Sequence, residues 1–153
     1  MSPNGQMLGR PDNYRPTLLS TGVRSSARRT PNKVALAQGP REFTYTTLIE
    51  RFNRVATAAI HDLGLRKGDH AALFSPNCIE FIEIVAGLSD AGVAPAMVPP
   101  SVTPPEVEHI CNDSGAKVLF VHKSVEGIAR AAKLDTVERI IVIGKDYDDW
   151  IAA

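Results

Sequence analysis

The side chains of this sequence best suited to chemistry are two thiols, three histidines and a late acidic cluster: Cys78 and Cys111, His70, His109 and His122, then Asp146, Asp148 and Asp149. Cys78 stands where a helix is expected to begin, a place that lowers a thiol's pKa and favours the reactive thiolate. No general base is spaced to serve it, so both cysteines are expected to be idle or buried thiols. They also lack CxxC spacing, which argues against a structural zinc site and for two reduced thiols in a cytoplasmic protein. His70 opens an expected strand, while His109 and His122 fall on a helix and at a strand end; each reads as a surface or hydrogen-bonded histidine. The three aspartates read as a solvated acidic turn, because no other oxygen ligands are placed beside them. Arg28 and Arg29 read as solvated helix surface. Trp150 is expected to belong to a packing surface whose partner lies outside the chain. None of these residues is assigned as catalytic, cofactor-binding or metal-ligating.

The elements that would position these groups follow from periodicity. Leu18, Leu19, Val23 and Ala27 share one face of a short helix that Thr30-Pro31 should end, since the residue before proline avoids the α region. Val34 to Ala37 and Glu42-Phe43 form a hairpin around Gly39-Pro40-Arg41. Thr44 then caps a helix whose inner face carries Leu48, Phe52, Val55, Ala56, Ala59, Ile60 and Leu63, with Glu50, Arg51, Arg54 and Asp62 opposite. Beyond Gly64 a strand–helix rhythm sets in. Strands are expected at His70–Phe74, Ala94–Val98, Lys117–Val121 and Arg139–Ile143, each beginning roughly 22 to 24 residues after the last. Between them, Asn77 with Glu80 caps an apolar helix ending at Ala91-Gly92, and Thr103-Pro104 with Glu106 forms a capping box closed by Ser114-Gly115. Val125 to Ala132 is the third helix of the series. The strands show no polar/apolar alternation, as befits strands covered on both faces. The expected fold is α/β, a partial doubly wound parallel sheet with flanking helices and a short N-terminal hairpin.

Ligands of such sheets sit beyond the carboxyl ends of the strands, where glycine-rich loops meet helix N-termini. The four strand-end segments are Ser75-Pro76-Asn77, Pro99-Pro100-Ser101-Val102, His122-Lys123-Ser124 and Gly144-Lys145-Asp146. None is GxGxxG or the GxxxxGK[ST] phosphate loop. Bulk composition removes other classes. Lys plus Arg and Asp plus Glu are 17 each, so the net charge of zero offers no general attraction for nucleic acid or anionic lipid. No apolar run approaches the ~18–20 residues of a membrane span. Residues 1–16 are polar, broken by Pro3, Pro11 and Pro16, and lack the apolar core of a signal peptide, so they read as a disordered leader.

The order of these segments resembles the AMP-forming ligases, the superfamily of acyl-CoA synthetases, luciferases and peptide-synthetase adenylation domains. Phe43-Thr44-Tyr45-Thr46-Thr47-Leu48 looks like the family's LTYxEL signature, continued by Asn53-Arg54-Val55-Ala56. Leu65 to Asp69 resembles its GxxxGD turn, and Pro76-Asn77 with Glu80-Phe81 its PNxxEF. Leu88 to Gly92 with Val98-Pro99 is similar to LKAGxxxVP, and Thr103 to Glu106 with Asp113 to Leu119 to TPEE…DSGAKVL. The likeness runs from about Thr30 to Ile143.

The resemblance implies a chemistry: ATP and a carboxylic acid give an acyl-adenylate and pyrophosphate, and the acyl group then passes to a thiol such as coenzyme A. It implies ATP, Mg and coenzyme A for the intact family, and none in this chain. The phosphate loop, adenine and ribose contacts, hinge and catalytic lysine of the family lie beyond the matched stretch; Tyr147 to Ala153 resembles the connector toward that loop. Two positions depart from the pattern. Thr47 replaces the glutamate of the first signature, and Pro99-Pro100-Ser101 replaces an Asn-Pro-Arg turn whose base can approach coenzyme A phosphate. Residues 17–153 are therefore expected to be an incomplete N-terminal ligase domain, inactive alone, with a complementing C-terminal fragment or a second copy as partner. The rival expectation is a stand-alone interaction module that pairs with a ligase, motivated by unpaired sheet edges; a nucleotide sensor is the third.

Overall fold

Gly39 and Pro40 occupy a two-residue loop between Gln38 and Arg41, with Gly39 at φ +58°. A positive φ at the first loop position matches the twist of a hairpin, and glycine adopts it without strain. A computed structural model describes residues 17–152, and the leader expected over residues 1–16 lies outside them. Helix α1 (Thr21–Arg29) precedes this hairpin of β1 (Val34–Gln38) and β2 (Arg41–Thr44), and α2 (Tyr45–His61) follows it. The rest alternates: β3 (His70–Phe74), α3 (Ile79–Ala91), β4 (Ala94–Val98), α4 (Pro104–Ser114), β5 (Val118–His122), α5 (Glu126–Arg130), β6 (Arg139–Ile143) and α6 (Tyr147–Ala152).

The four later strands form one parallel sheet in the order β4-β3-β5-β6. The chain steps from β3 out to β4, then crosses back over β3 to β5, so the strand order reverses between β3 and β5. Alternate residues supply two separate cores. Ala71, Leu73, Val118, Phe120, Ile141 and Ile143 face α2, α3 and α6. Ala72, Phe74, Leu119, Val121 and Val142 face α4 and α5. Burial on both faces explains why these strands read as continuous apolar runs. The fold is α/β and doubly wound, with the hairpin and α1 held against α2 and α3 by Leu48, Phe52, Ala86 and Val23.

Capping divides as physical chemistry requires. Thr44 accepts from the Thr47 N–H at 3.2 Å, and the Glu106 carboxylate accepts from the Thr103 N–H at 2.7 Å. Gly92 and Gly115 end α3 and α4 in the left-handed region, at φ +76° and +66°. The Asn77 cap does not form: Asn77 is exposed, Cys78 is the N-cap residue, and the first free N–H of α3, on Ile79, donates to the Gln38 side chain at 3.3 Å. The hairpin caps the helix from outside it, which local sequence does not show.

Other boundaries move for similar reasons. Leu18 and Leu19 precede α1 and are exposed, and Ile60 and Ile82 point outward on helices whose inner arcs are filled by Val55, Ala59, Ile84 and Leu88. The third strand begins at Val118, where β3 pairing begins at Ala71. The helix expected over Val125 to Ala132 shortens to Glu126–Arg130. The segment 147–153, expected to be a connector, is helical over Tyr147–Ala152.

Helices α2 and α3 approach closely at Gly87, where an added Cβ would lie 2.5 Å from Val55 Cβ and 3.0 Å from the Phe52 carbonyl oxygen. Alanine gains about 1 kcal/mol over glycine in helix propensity, but overpacking a rigid contact costs about 1–3 kcal/mol. Gly87→Ala should therefore lower stability by up to about 2 kcal/mol net. Urea unfolding should show a lower midpoint at an unchanged slope; an unmoved or raised midpoint would mean the two helices have room to spare.

Candidate functional site

In an open parallel sheet the place to look first is the crevice beyond the strand ends, at the point where strand order reverses. Here that is the gap between the loops after β3 and β5. The Ser75 hydroxyl donates to the Pro76 carbonyl at 2.8 Å and lies 3.5 Å from Cys78 Sγ. Across the gap, His122 Nδ1 accepts the Ser124 N–H at 3.1 Å and lies 2.7 Å from the Ser124 hydroxyl. At the end of β6, Lys145 Nζ is tied to Glu126 at 2.5 Å, and Arg130 holds the other oxygen of that carboxylate at 2.8 Å. The turn after β4, Pro99-Pro100-Ser101, is exposed and carries no charged side chain. Most of these polar groups are thus committed to one another; Lys123, after β5, is exposed, and no glycine-rich loop follows any of the four strands of the sheet.

The thiols fare no better as nucleophiles. Burial pushes Cys78 above the usual thiol range, against the pull of the Ser75 hydroxyl, so its place at a helix start does not activate it. Burial alone lifts Cys111 to about 11. Both are free thiols. Among the described residues no three His, Cys, Asp or Glu side chains come together as a metal set. His70 and His109 are exposed, at the start of β3 and on α4.

The charged chemistry gathers elsewhere, between α2, α3 and α6. Glu83 is fully buried on the inner side of α3, among Ile79, Ile84, Ala86 and Leu88 and one turn after the buried Glu80. Its Oε1 accepts from Arg51 Nε at 2.5 Å and its Oε2 from the Tyr147 hydroxyl at 2.9 Å. Arg51 Nη2 also reaches Asp148 at 2.7 Å. One turn earlier on α3, Glu80 accepts from Arg41 Nη2 at 2.5 Å. The Phe43 ring joins the two pairs, with the Arg51 and Arg41 guanidinium carbons 5.2 Å and 5.6 Å from its centroid. Three helices and the hairpin therefore share one polar network.

Each shift follows from this geometry. Burial pushes the Glu83 carboxyl above its ordinary value, while Arg51 and the Tyr147 hydroxyl pull it back. Burial and the adjacent Glu83 charge push the Tyr147 phenol well above its ordinary value, so it remains a donor. Burial disfavours the Arg51 charge, but Glu83 and Asp148 outweigh it and hold the guanidinium protonated. Glu80 differs: burial works against its charge, yet Arg41 prevails and the carboxyl sits below the ordinary 4.5.

Three expectations are corrected here. Arg51 does not face solvent beside Glu50 and Arg54; it is only 15% exposed and forms the buried pair. The acidic residues are exposed as expected, but Asp148 and Asp149 lie on α6 and not in a turn; Asp148 pairs with Arg51, and Asp146 accepts from the Val142 N–H at 3.3 Å. Trp150 finds its partners within the chain, with ring centroids 5.3 Å from Phe120 and 5.9 Å from Tyr147, and its indole N–H donates to Asp62 at 2.9 Å. The overlooked signals were a lone acid between Ile82 and Ile84, and an arginine three residues past Leu48 on the apolar stripe. This arrangement binds helices together; it holds no group poised for transfer.

The pH response of Glu80 has a definite sign. Its folded pKa is lower than its unfolded one, so its contribution is present above 4.5 and is lost as pH falls through the folded value. Glu80→Gln should make the loss of stability below pH 4.5 shallower than in the unmodified chain. Urea midpoints measured at successive acid pH values check this, and an equal or steeper loss would contradict it.

Comparison with known proteins agrees with this geometry. The profile of the AMP-binding enzyme family matches residues 23–151. The fatty acid–[acyl-carrier-protein] ligase ScoC of Streptomyces coeruleorubidus is 29% identical over 127 residues, covering 83% of this chain and 24% of that protein. Triostin synthetase I of Streptomyces triostinicus is 31% identical over 143 residues, 92% of this chain and 26% of its own length. Among solved structures, the anthranilate CoA ligase AuaEII in complex with anthranoyl-AMP superposes at a TM-score of 0.80 and 28% identity, over 85% of this chain and 26% of that one. The N-terminal domain of FACL13 from Mycobacterium tuberculosis gives 0.78 and 26%, over 86% of this chain and 35% of that one. The matched stretch is the N-terminal portion of these proteins, and the chain spans about a quarter of the length of the curated relatives.

Proposed function

The chain belongs to the AMP-binding enzyme family, and from that premise we propose that these residues build the N-terminal scaffold of an ATP-dependent, AMP-forming carboxylate ligase. In such a ligase the carboxylic acid attacks the α-phosphate of ATP, releasing pyrophosphate and leaving an acyl-adenylate; a thiol such as that of coenzyme A then takes the acyl group and releases AMP. The observation that carries the reading is the coincidence of two facts. The family match takes in nearly all the described residues, while those residues span only about a quarter of the curated relatives.

Stabilising the charge of adenylyl transfer is a matter of positioned cations and backbone donors. At the strand ends Lys145 is tied to Glu126, the β4 turn is uncharged, and exposed Lys123 has no glycine-rich loop beside it, which supports placing this chemistry outside the described residues. The chemistry accordingly belongs to the remaining length of a ligase, contributed by the same polypeptide or by a complementing one. The contribution of these residues is a rigid parallel sheet against which that remainder packs. The relatives include ligases of fatty acids and of anthranilate, which supports a carboxylic acid as the acyl donor. Two free thiols suit a reducing, cytoplasmic setting, and no helix among the described residues is long and apolar enough to cross a membrane.

The purified 153-residue chain should give no carboxylate-dependent ATP–pyrophosphate exchange above a protein-free blank, tested over aliphatic and aromatic acids. Addition of a polypeptide carrying the rest of a ligase's large domain should produce exchange. Exchange by the chain alone would contradict the proposal. Tight binding to a ligase polypeptide without any gain of exchange would favour an interaction module instead.

A further inference from the structure

The described residues of α6, Tyr147–Ala152, are anchored to the body, with Tyr147, Trp150 and Ile151 buried. The contacts that hold α6 fall into two sets. At its first turn Tyr147 donates to buried Glu83 at 2.9 Å, and Asp148 pairs with Arg51 at 2.7 Å. At its second turn Trp150 packs on Phe120 and donates to Asp62, which Arg139 also holds at 2.6 Å. The turn that leads into it passes through Gly144 at φ +88°, and the Asp146 side chain accepts from the Val142 N–H. A glycine pivot followed by a tertiary-held helix is a unit that can leave and return without unravelling the sheet.

The polar contact works in both directions. Both Glu83 oxygens are occupied, one by Arg51 and one by Tyr147. With α6 docked, the carboxylate is dry and fully paired; with Tyr147 withdrawn, Oε2 needs a water molecule in its place. We propose that α6 is a latch: it docks and undocks as a unit on α2, α3 and β5, with the Glu83 carboxylate as its catch, and its docked position sets the direction in which the polypeptide leaves β6. Arg51 is the second half of the catch, since it links Glu83 to Asp148 on the exposed side of α6. This inference stands on the packing alone and does not depend on the ligase reading.

Trp150 is the only tryptophan in the chain, so its accessibility to acrylamide reports α6 alone. Tyr147→Phe keeps the ring and removes the catch. It should make Trp150 more quenchable and speed hydrogen exchange at the amides of Trp150 to Ala152 by about tenfold, while the amides of Ala71–Phe74 and Val118–Val121 keep their rates. Asp148→Asn, at a side chain 65% exposed, should act in the same direction but more weakly. Acceleration of all amides by one factor would overturn the proposal, because α6 would then open only through global unfolding. Unchanged quenching and exchange in both variants would overturn it as well, because the catch would hold nothing.

Discussion

A carboxylate removed from water is the constraint from which much of this structure follows. Glu83 is fully buried, and an unpaired ionised group at such a place costs several kcal/mol. Its two oxygens must be met by donors in fixed directions. One donor comes from α2, through Arg51, and the other from α6, through Tyr147. Because donors from two helices converge on a carboxylate carried by a third, the axial positions of all three are set together. Apolar contacts such as Val55 against Gly87 tolerate little closer approach but do not by themselves fix a rotation. The carboxylate supplies that orientation, and Phe43, lying near both Arg41 and Arg51, carries it to the hairpin.

The sheet contributes differently. Its strands bury both faces and offer little polar chemistry except at their carboxyl ends. Those ends are where an α/β sheet meets its ligand, yet here their polar groups bond to each other. Membership in the AMP-binding enzyme family and the match to the N-terminal portion of its members agree with a part whose described residues are mainly sheet and packing.

Much of the fold is legible along the chain, and the parts that are not share a cause. Thr44, Thr103 with Glu106, Gly92 and Gly115 announce helix ends because each acts on backbone within four residues of itself. The strands His70–Phe74, Ala94–Val98 and Arg139–Ile143 emerge at the expected boundaries, because a two-faced strand must be apolar throughout. Asn77 reads as a cap because nothing nearby says that the side-chain oxygen of Gln38, 41 residues before Ile79, accepts the Ile79 N–H instead. Arg51 looked solvated because its partner is 32 residues distant, and Tyr147 lies 64 residues from Glu83. Trp150 looked partnerless for the same reason, its indole N–H ending on Asp62, 88 residues earlier. Polar pairings at long range have no periodicity to betray them; the trace they leave is a single charged residue in an apolar run.

The account rests on Glu83 joining α2 to α6, and a double-mutant cycle measures that join directly. Unfolding free energies of the chain, of Arg51→Ala, of Tyr147→Phe and of the double variant isolate the coupling between two residues that meet at one carboxylate. The account predicts that each single change is destabilising and that the double variant departs from their sum by about 0.5–3 kcal/mol. If the two effects simply add within experimental error, Arg51 and Tyr147 act independently, and the buried carboxylate is not what holds the last helix to the rest.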